Sequence, residues 1–114
     1  MKKLLLVLFV SFSLVISLNF KSIAEIGVSS NEILIGSSLV LTGPAQFLGQ
    51  QLKLGYEAYI KKINDAGGIN GKKIRTIFYD DGYESDKCVV NTKKLIEEDK
   101  VFVLTSYVGM PTTN

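Results

Sequence analysis

The sequence predicts an α/β fold with a parallel sheet built in the order βαβαβ. Three observations carry this reading: three short β-rich runs, two intervening segments whose apolar residues recur every three to four positions, and Gly, Asn and Asp turn residues at the junctions. Strands joined by crossover helices of this length are parallel, with right-handed connections.

Each element follows in order. Residues 25–32 are small and polar and read as a short exposed lead-in. The run from Ile33 to Leu41 is apolar and stops at Thr42-Gly43-Pro44, as a buried strand stopped by turn chemistry does. Between Gln46 and Ala66 the period changes: Leu48, Leu52, Tyr56, Tyr59, Ile63 and Ala66 line one face, and Lys53, Glu57, Lys61, Lys62 and Asp65 occupy others. Gly67 and Gly68 end this helix by taking the left-handed conformation, and Asn70-Gly71 supplies a tight turn. Lys73 to Tyr79 is the second strand, closed by Asp80-Asp81-Gly82. A second helix is expected from about Ser85, read as its N-cap, with Asp86 in the first turn and a stripe of Cys88, Val89, Thr92, Leu95 and Ile96. Its acidic last turn, Glu97, Glu98 and Asp99, opposes the helix dipole. Val101 to Leu104 is the third strand, and residues 105–114 lead into another helix with Thr112 or Thr113 as its cap.

Composition narrows the function classes. The 114 residues carry 13 basic and 11 acidic side chains, a formal charge of +2, and no His. Lys2, Lys3 and Lys21 fall in the first 24 positions, where there is no acid, so the remainder is near neutral at −1. A nucleic-acid surface needs a clustered basic excess, which is missing. Cys88 is alone, which excludes a disulfide scaffold. One Cys and no His leave a zinc site or a His-based catalytic centre without its usual groups, and no cofactor is called for.

Residues 1–24 have the pattern of a secretory signal peptide: Lys2 and Lys3, an apolar core from Leu4 to Leu18, and small residues at Ser22 and Ala24. Cleavage is predicted after Ala24, leaving Glu25 first. The alternative, an uncleaved anchor, has in Leu4 to Phe20 a run only marginally long enough to cross a bilayer. No Cys lies near the cleavage site, so no lipid anchor is expected and the product is read as periplasmic. About 90 residues then remain, room for only about three strands with their crossovers.

Three stretches carry more than fold information: Thr42-Gly43-Pro44-Ala45-Gln46-Phe47-Leu48-Gly49, Asn64-Asp65-Ala66-Gly67-Gly68-Ile69-Asn70-Gly71-Lys72-Lys73-Ile74, and Tyr79-Asp80-Asp81-Gly82. In this order, behind a signal peptide, they resemble the N-terminal lobe of type I periplasmic binding proteins of the leucine/isoleucine/valine receptor family. The resemblance implies that residues 25–114 form part of that Rossmann-like lobe. It also implies an extracytoplasmic receptor, not an enzyme, that captures an amino acid, here of the branched-chain type, and delivers it to an ABC permease in the inner membrane. In such proteins two lobes close on the ligand by hinge motion. The loop after the third strand would hold the ligand's carboxylate and ammonium, which points to Ser106, Tyr107, Gly109, Thr112 and Thr113. Phe47 would meet the ligand side chain from the first loop. The Val-Gly-Met-Pro-Thr-Thr run differs from the Ser-rich version of the leucine receptors.

The same residues also admit plainer readings. The glycines are structural turn and cap positions, Cys88 a small packing residue, and Tyr56 and Tyr59 core. Asp80-Asp81 superficially resembles the acidic pair of a response-regulator receiver, but the leader does not suit a cytoplasmic switch. A secreted enzyme on a flavodoxin-like sheet would need a nucleophile-base pair or a phosphate-cradling loop. Regulators of this lobe architecture carry a DNA-binding helix pair where this chain has its leader. The length also admits a remnant that keeps the leader and half a lobe and binds no ligand.

Overall fold

In a computed structural model, residues 25–113 of the chain are described. The expected signal peptide, with its cleavage after Ala24, lies outside the described residues. The elements are β1 (Glu32–Leu39), α1 (Gln46–Asp65), β2 (Lys73–Asp80), α2 (Ser85–Glu97), β3 (Val103–Leu104) and α3 (Met110–Thr113). The strands form one parallel sheet in the order β2-β1-β3. The chain therefore moves one way across the sheet after β1 and the other way after β2. Right-handed connections then place α1 and α2 on opposite faces.

Register decides which side chains each helix covers. Leu34 pairs with Arg75 and Gly36 with Ile77, so Leu34, Gly36, Ser38, Ile77 and Tyr79 share one face; Ile35, Ser37, Leu39, Ile74 and Phe78 share the other. On the first face Leu34, Leu95 and Val101 form a buried cluster, with Ile77, Tyr79 and Leu104 packed against it. Gly36 makes room there, since a Cβ on it would lie 2.8 Å from Leu95 Cδ2. Fully burying Leu95 contributes about 2 kcal/mol before entropy is counted.

On the other face Tyr56 meets Phe78 edge-on, with centroids 5.9 Å apart. Asn64 holds the edge strand: its amide donates to Ile74 O and its carbonyl accepts from Ile74 N, both at 2.8 Å.

Several expectations change in three dimensions. Tyr59, expected in the core, is 64% exposed, and Leu48 is exposed as well. Gly49 is the buried residue of α1, because its Cα lies against the Val40 carbonyl where no side chain would fit. That contact turns the face of Gly49, Leu52, Tyr56 and Ile63 to the sheet and rolls Tyr59 outward. In α2 only Cys88 and Leu95 of the expected stripe are buried, with Val89 and Ile96 exposed. The N-cap of α2 is Glu84, not Ser85; the Ser85 hydroxyl donates to Pro111 O at 2.5 Å.

β1 stops at Leu39, short of the expected Leu41, because the amides of Leu41 and Thr42 donate to the Asp80 carboxylate. The third strand is only Val103–Leu104; Val101 N is taken by Leu95 O at the end of α2. The lead-in is not loose: Gly27 O accepts from Leu34 N at 2.7 Å, and Val28 bridges to Ile33. Asn70 and Gly71 both have positive φ, making the tight turn between Ile69 and Lys72. In the acidic end of α2, Asp99 accepts the Tyr79 hydroxyl at 2.9 Å, and Lys94 Nζ sits 4.5 Å from that ring's centroid.

Candidate functional site

The order β2-β1-β3 puts a topological switch point between β1 and β3. Loops leaving their carboxyl ends diverge to opposite faces and open a crevice there, where open α/β sheets take ligands. The residues at this end of β1 are polar although buried. Ser37 and Ser38 are 1% and 0% exposed. Ser37 donates to Ser106 O at 3.3 Å, tying β1 to the loop after β3. Ser38 donates to Asp81 Oδ2 at 2.8 Å, and Asn91 on α2 donates both to Ser38 Oγ at 3.1 Å and to Asp80 O at 3.0 Å.

The two aspartates after β2 point to different loops. Asp81, fully buried, accepts Ser38 on one oxygen and Tyr83 N–H at 2.9 Å on the other. Asp80 is exposed and collects the N–H groups of Leu41, Thr42 and Gly82 at 2.8, 3.2 and 3.0 Å and the Thr42 hydroxyl at 2.5 Å. Burial alone would push the Asp80 carboxyl up. The Thr42 hydroxyl and the three amides outweigh it and hold the group below its ordinary value.

The predicted ligand residues fall into separate environments. Phe47 is the second residue of α1 and is 67% exposed. Ser106 is half-buried with φ 62°, its carbonyl on Ser37 and its hydroxyl 3.4 Å from that of Thr105. Tyr107 turns onto α2, sharing a 2.8 Å hydrogen bond with the Thr92 hydroxyl. Burial pushes its phenol above the ordinary value, against the effect of that hydrogen bond. Gly109, at φ 110°, lies against the Cε2 edge of the Tyr83 ring.

Thr112 is buried and donates to Val108 O at 2.8 Å and Gly109 O at 3.1 Å; Thr113 donates to Gly109 O at 2.7 Å. Neither is the N-cap of α3, since both lie inside the helix and their hydroxyls donate to carbonyls behind them. Tyr107, Thr112 and Thr113 join Cys88 and Thr92 in lining a groove of about 510 Å³ beside α2. Phe47 stands at the start of the helix on the opposite face of the sheet.

Ser37, Ser38, Asn91 and Tyr83 organise this edge and were not singled out from the sequence. Two hydroxyls in succession at the carboxyl end of an otherwise apolar strand were the available signal, since buried side chains of that kind need partners. Among the described residues there is no grouping of His, Cys, Asp and Glu suited to a metal ion. No described helix is long and apolar enough to cross a membrane.

A parallel sheet wound in both directions from a central β1, with buried polar groups gathered at its carboxyl edge, defines the class of open α/β lobes that take ligands at a switch point. The match is more particular than that. The family model described as periplasmic binding protein matches residues 32–114, and the chain belongs to that family.

Among curated relatives, the Leu/Ile/Val-binding protein homolog 3 of Brucella melitensis is 38% identical over 93 residues, covering 79% of this chain and 24% of the relative. Homolog 1 of Brucella abortus is 37% identical over 73 residues, 64% of this chain and 20% of the relative. The chain thus spans between a fifth and a quarter of the length of these relatives. Among solved structures, the branched-chain amino acid substrate-binding protein LivJ of Streptococcus pneumoniae, in complex with isoleucine, superposes with TM-score 0.70 at 26% identity. That match covers 73% of this chain and 24% of LivJ. A solute-binding protein of Rhodopseudomonas palustris in complex with 3,4-dihydroxybenzoic acid matches at TM-score 0.64 and 30% identity, covering 71% and 22%.

Proposed function

We propose that this chain supplies the ligand-facing sheet edge of the first lobe of an extracytoplasmic solute receptor in an ABC-type amino-acid uptake system. It binds a small solute without chemistry. Branched-chain amino acids are the proposed ligand class, in keeping with the names of the curated relatives. The partner is an ABC permease, and the leader read in residues 1–24 provides export to the periplasm.

The observation that carries this reading is the tied set of loops at the β1/β3 switch point, where Ser37, Ser38, Asp80 and Asp81 hold loops from all three strands. In this reading Ser106 and the Gly109 backbone are the groups presented to an amino acid's charged ends. Tyr107, Thr112 and Thr113 shape the same loop, and Phe47 offers an exposed aromatic face to an aliphatic side chain. Oriented donors around a small charged ligand are the usual basis of specificity in such pockets.

The test is an amide-shift titration of the labelled chain with isoleucine, leucine and valine. Binding is expected to be weak, on the order of millimolar, because this chain matches only part of its relatives and contacts from one lobe leave the ligand half-solvated. Shifts should concentrate at residues 42–47 and 105–113. Saturating isoleucine without shifts in either loop would sink the proposal.

A further inference from the structure

We infer that the turn Asp80-Asp81-Gly82-Tyr83 is a two-sided strut, and that Tyr83 is the positioning residue that seats the loop between β3 and α3. The consequence for ligand binding rests on the receptor reading above; the strut itself does not.

On one side the turn holds the loop after β1. Asp80 gathers the amides of Leu41 and Thr42 and the Thr42 hydroxyl, and its remaining donor is the amide of Gly82 within the turn itself. On the other side the anchor is Asp81. Its carboxylate accepts Tyr83 N–H and its carbonyl accepts Glu84 N–H at 2.9 Å, which fixes Tyr83 at φ 70°. Residues with a side chain rarely occupy that region, so the neighbouring hydrogen bonds must over-determine it.

The ring so placed packs on Gly109. A Cβ at Gly109 would fall 2.2 Å from Cε2 on the edge of the Tyr83 ring, too close to be tolerated, and its φ of 110° independently disfavours any side chain. Gly109 is also the residue whose carbonyl gathers the first turn of α3: it accepts Thr112 N–H at 3.2 Å and the hydroxyls of Thr112 and Thr113. Ser85, two residues beyond Tyr83, adds a second tie at Pro111 O. Displacing the ring would therefore unseat Gly109 and leave the segment of Thr112 and Thr113 held only from α2, through Ser85 to Pro111 O and Cys88 to Thr112 O. The chain spends two left-handed residues, Tyr83 and Gly109, on one contact between loops that precede different helices. Neither conformation is required to continue β2 or β3.

The test reads the unliganded full chain by NMR. In the wild type the Gly109 α-proton nearest Tyr83 Cε2 should carry a ring-current shift, displacing it from its random-coil position. Tyr83→Phe should keep that shift. Tyr83→Ala should abolish it and speed exchange of the Thr112 amide by about tenfold or more, with the Gly36 and Ile77 amides unchanged. Unshifted Gly109 α-protons in the wild type would overturn the inference. So would wild-type exchange at Thr112 in Tyr83→Ala, or loss of the shift in a folded Tyr83→Phe. Should Tyr83→Ala fail to fold, the wild type and Tyr83→Phe decide the matter. Isoleucine addition is the separate arm. A shifted Gly109 with no isoleucine response removes the receptor reading and leaves the strut, whereas equal isoleucine responses in wild type and Tyr83→Ala remove the positioning role.

Discussion

Leu34 and Ser38 stand on the same face of β1, four residues apart, and the same helix covers both. Leu34 meets Leu95 and Val101 in the apolar cluster; Ser38 meets Asp81 and, one helical turn from Leu95, Asn91. Over that distance the interface changes its physics. The lower half is held by non-directional burial, in which neighbours can shift and still exclude water. The upper half is held by hydrogen bonds with assigned donors and acceptors, so a displaced partner leaves a buried polar group unpaired. The first region sets how stable the sheet is. The second sets where three loops lie.

The comparison is broken most severely from below. Leu95→Ala removes a fully buried side chain from a small cluster and should cost about 2–5 kcal/mol, a large share of what a domain of this size can have. Urea unfolding followed by circular dichroism would measure it, and a cost under about 1 kcal/mol would mean that the cluster is not the stabilising half.

From above, Asp81→Ala leaves the Ser38 hydroxyl and the Tyr83 amide without their acceptor, at about 1–3 kcal/mol. Its distinguishing mark is local: amide exchange should quicken in residues 82–84 and 105–112 more than in β1 and β2.

The smallest effect is that of Asp80, which is exposed and therefore screened by solvent. Its folded-state value lies below the ordinary 3.8, so it contributes stability that is fully present above pH 3.8 and disappears as pH falls through the lowered value. The difference in unfolding free energy between wild type and Asp80→Asn should stay constant from neutral pH down to about that point and shrink below it. A difference that instead grew on acidification would contradict the assigned donors.

How much of this was legible in the sequence differs by region. The apolar half was readable because Ile33 to Leu41 and Lys73 to Tyr79 have strand composition and the helices have their own period. Even so, Tyr59 was placed wrongly, since the roll of α1 depends on the close seat of Gly49 on Val40. The polar half was visible only as the Asp80-Asp81-Gly82 motif. That one acid reaches Thr42 and the other Ser38 and Tyr83 could not be read from adjacency, because neighbouring side chains on a strand end point to opposite faces. For the same reason, spacing placed Ser106, Tyr107, Gly109, Thr112 and Thr113 in one loop but could not tell that Tyr107 would turn onto Thr92.

The sequence by itself determined the order of elements, the parallel sheet and the family, because hydrophobic period, turn residues and short motifs are local properties of the chain. Only the tertiary structure decided which polar groups hold the loops. The Ser38–Asp81 bond joins residues 43 apart and the Ser37–Ser106 bond residues 69 apart. A hydrogen bond depends on distance and direction that exist only after the sheet has brought those strand ends side by side.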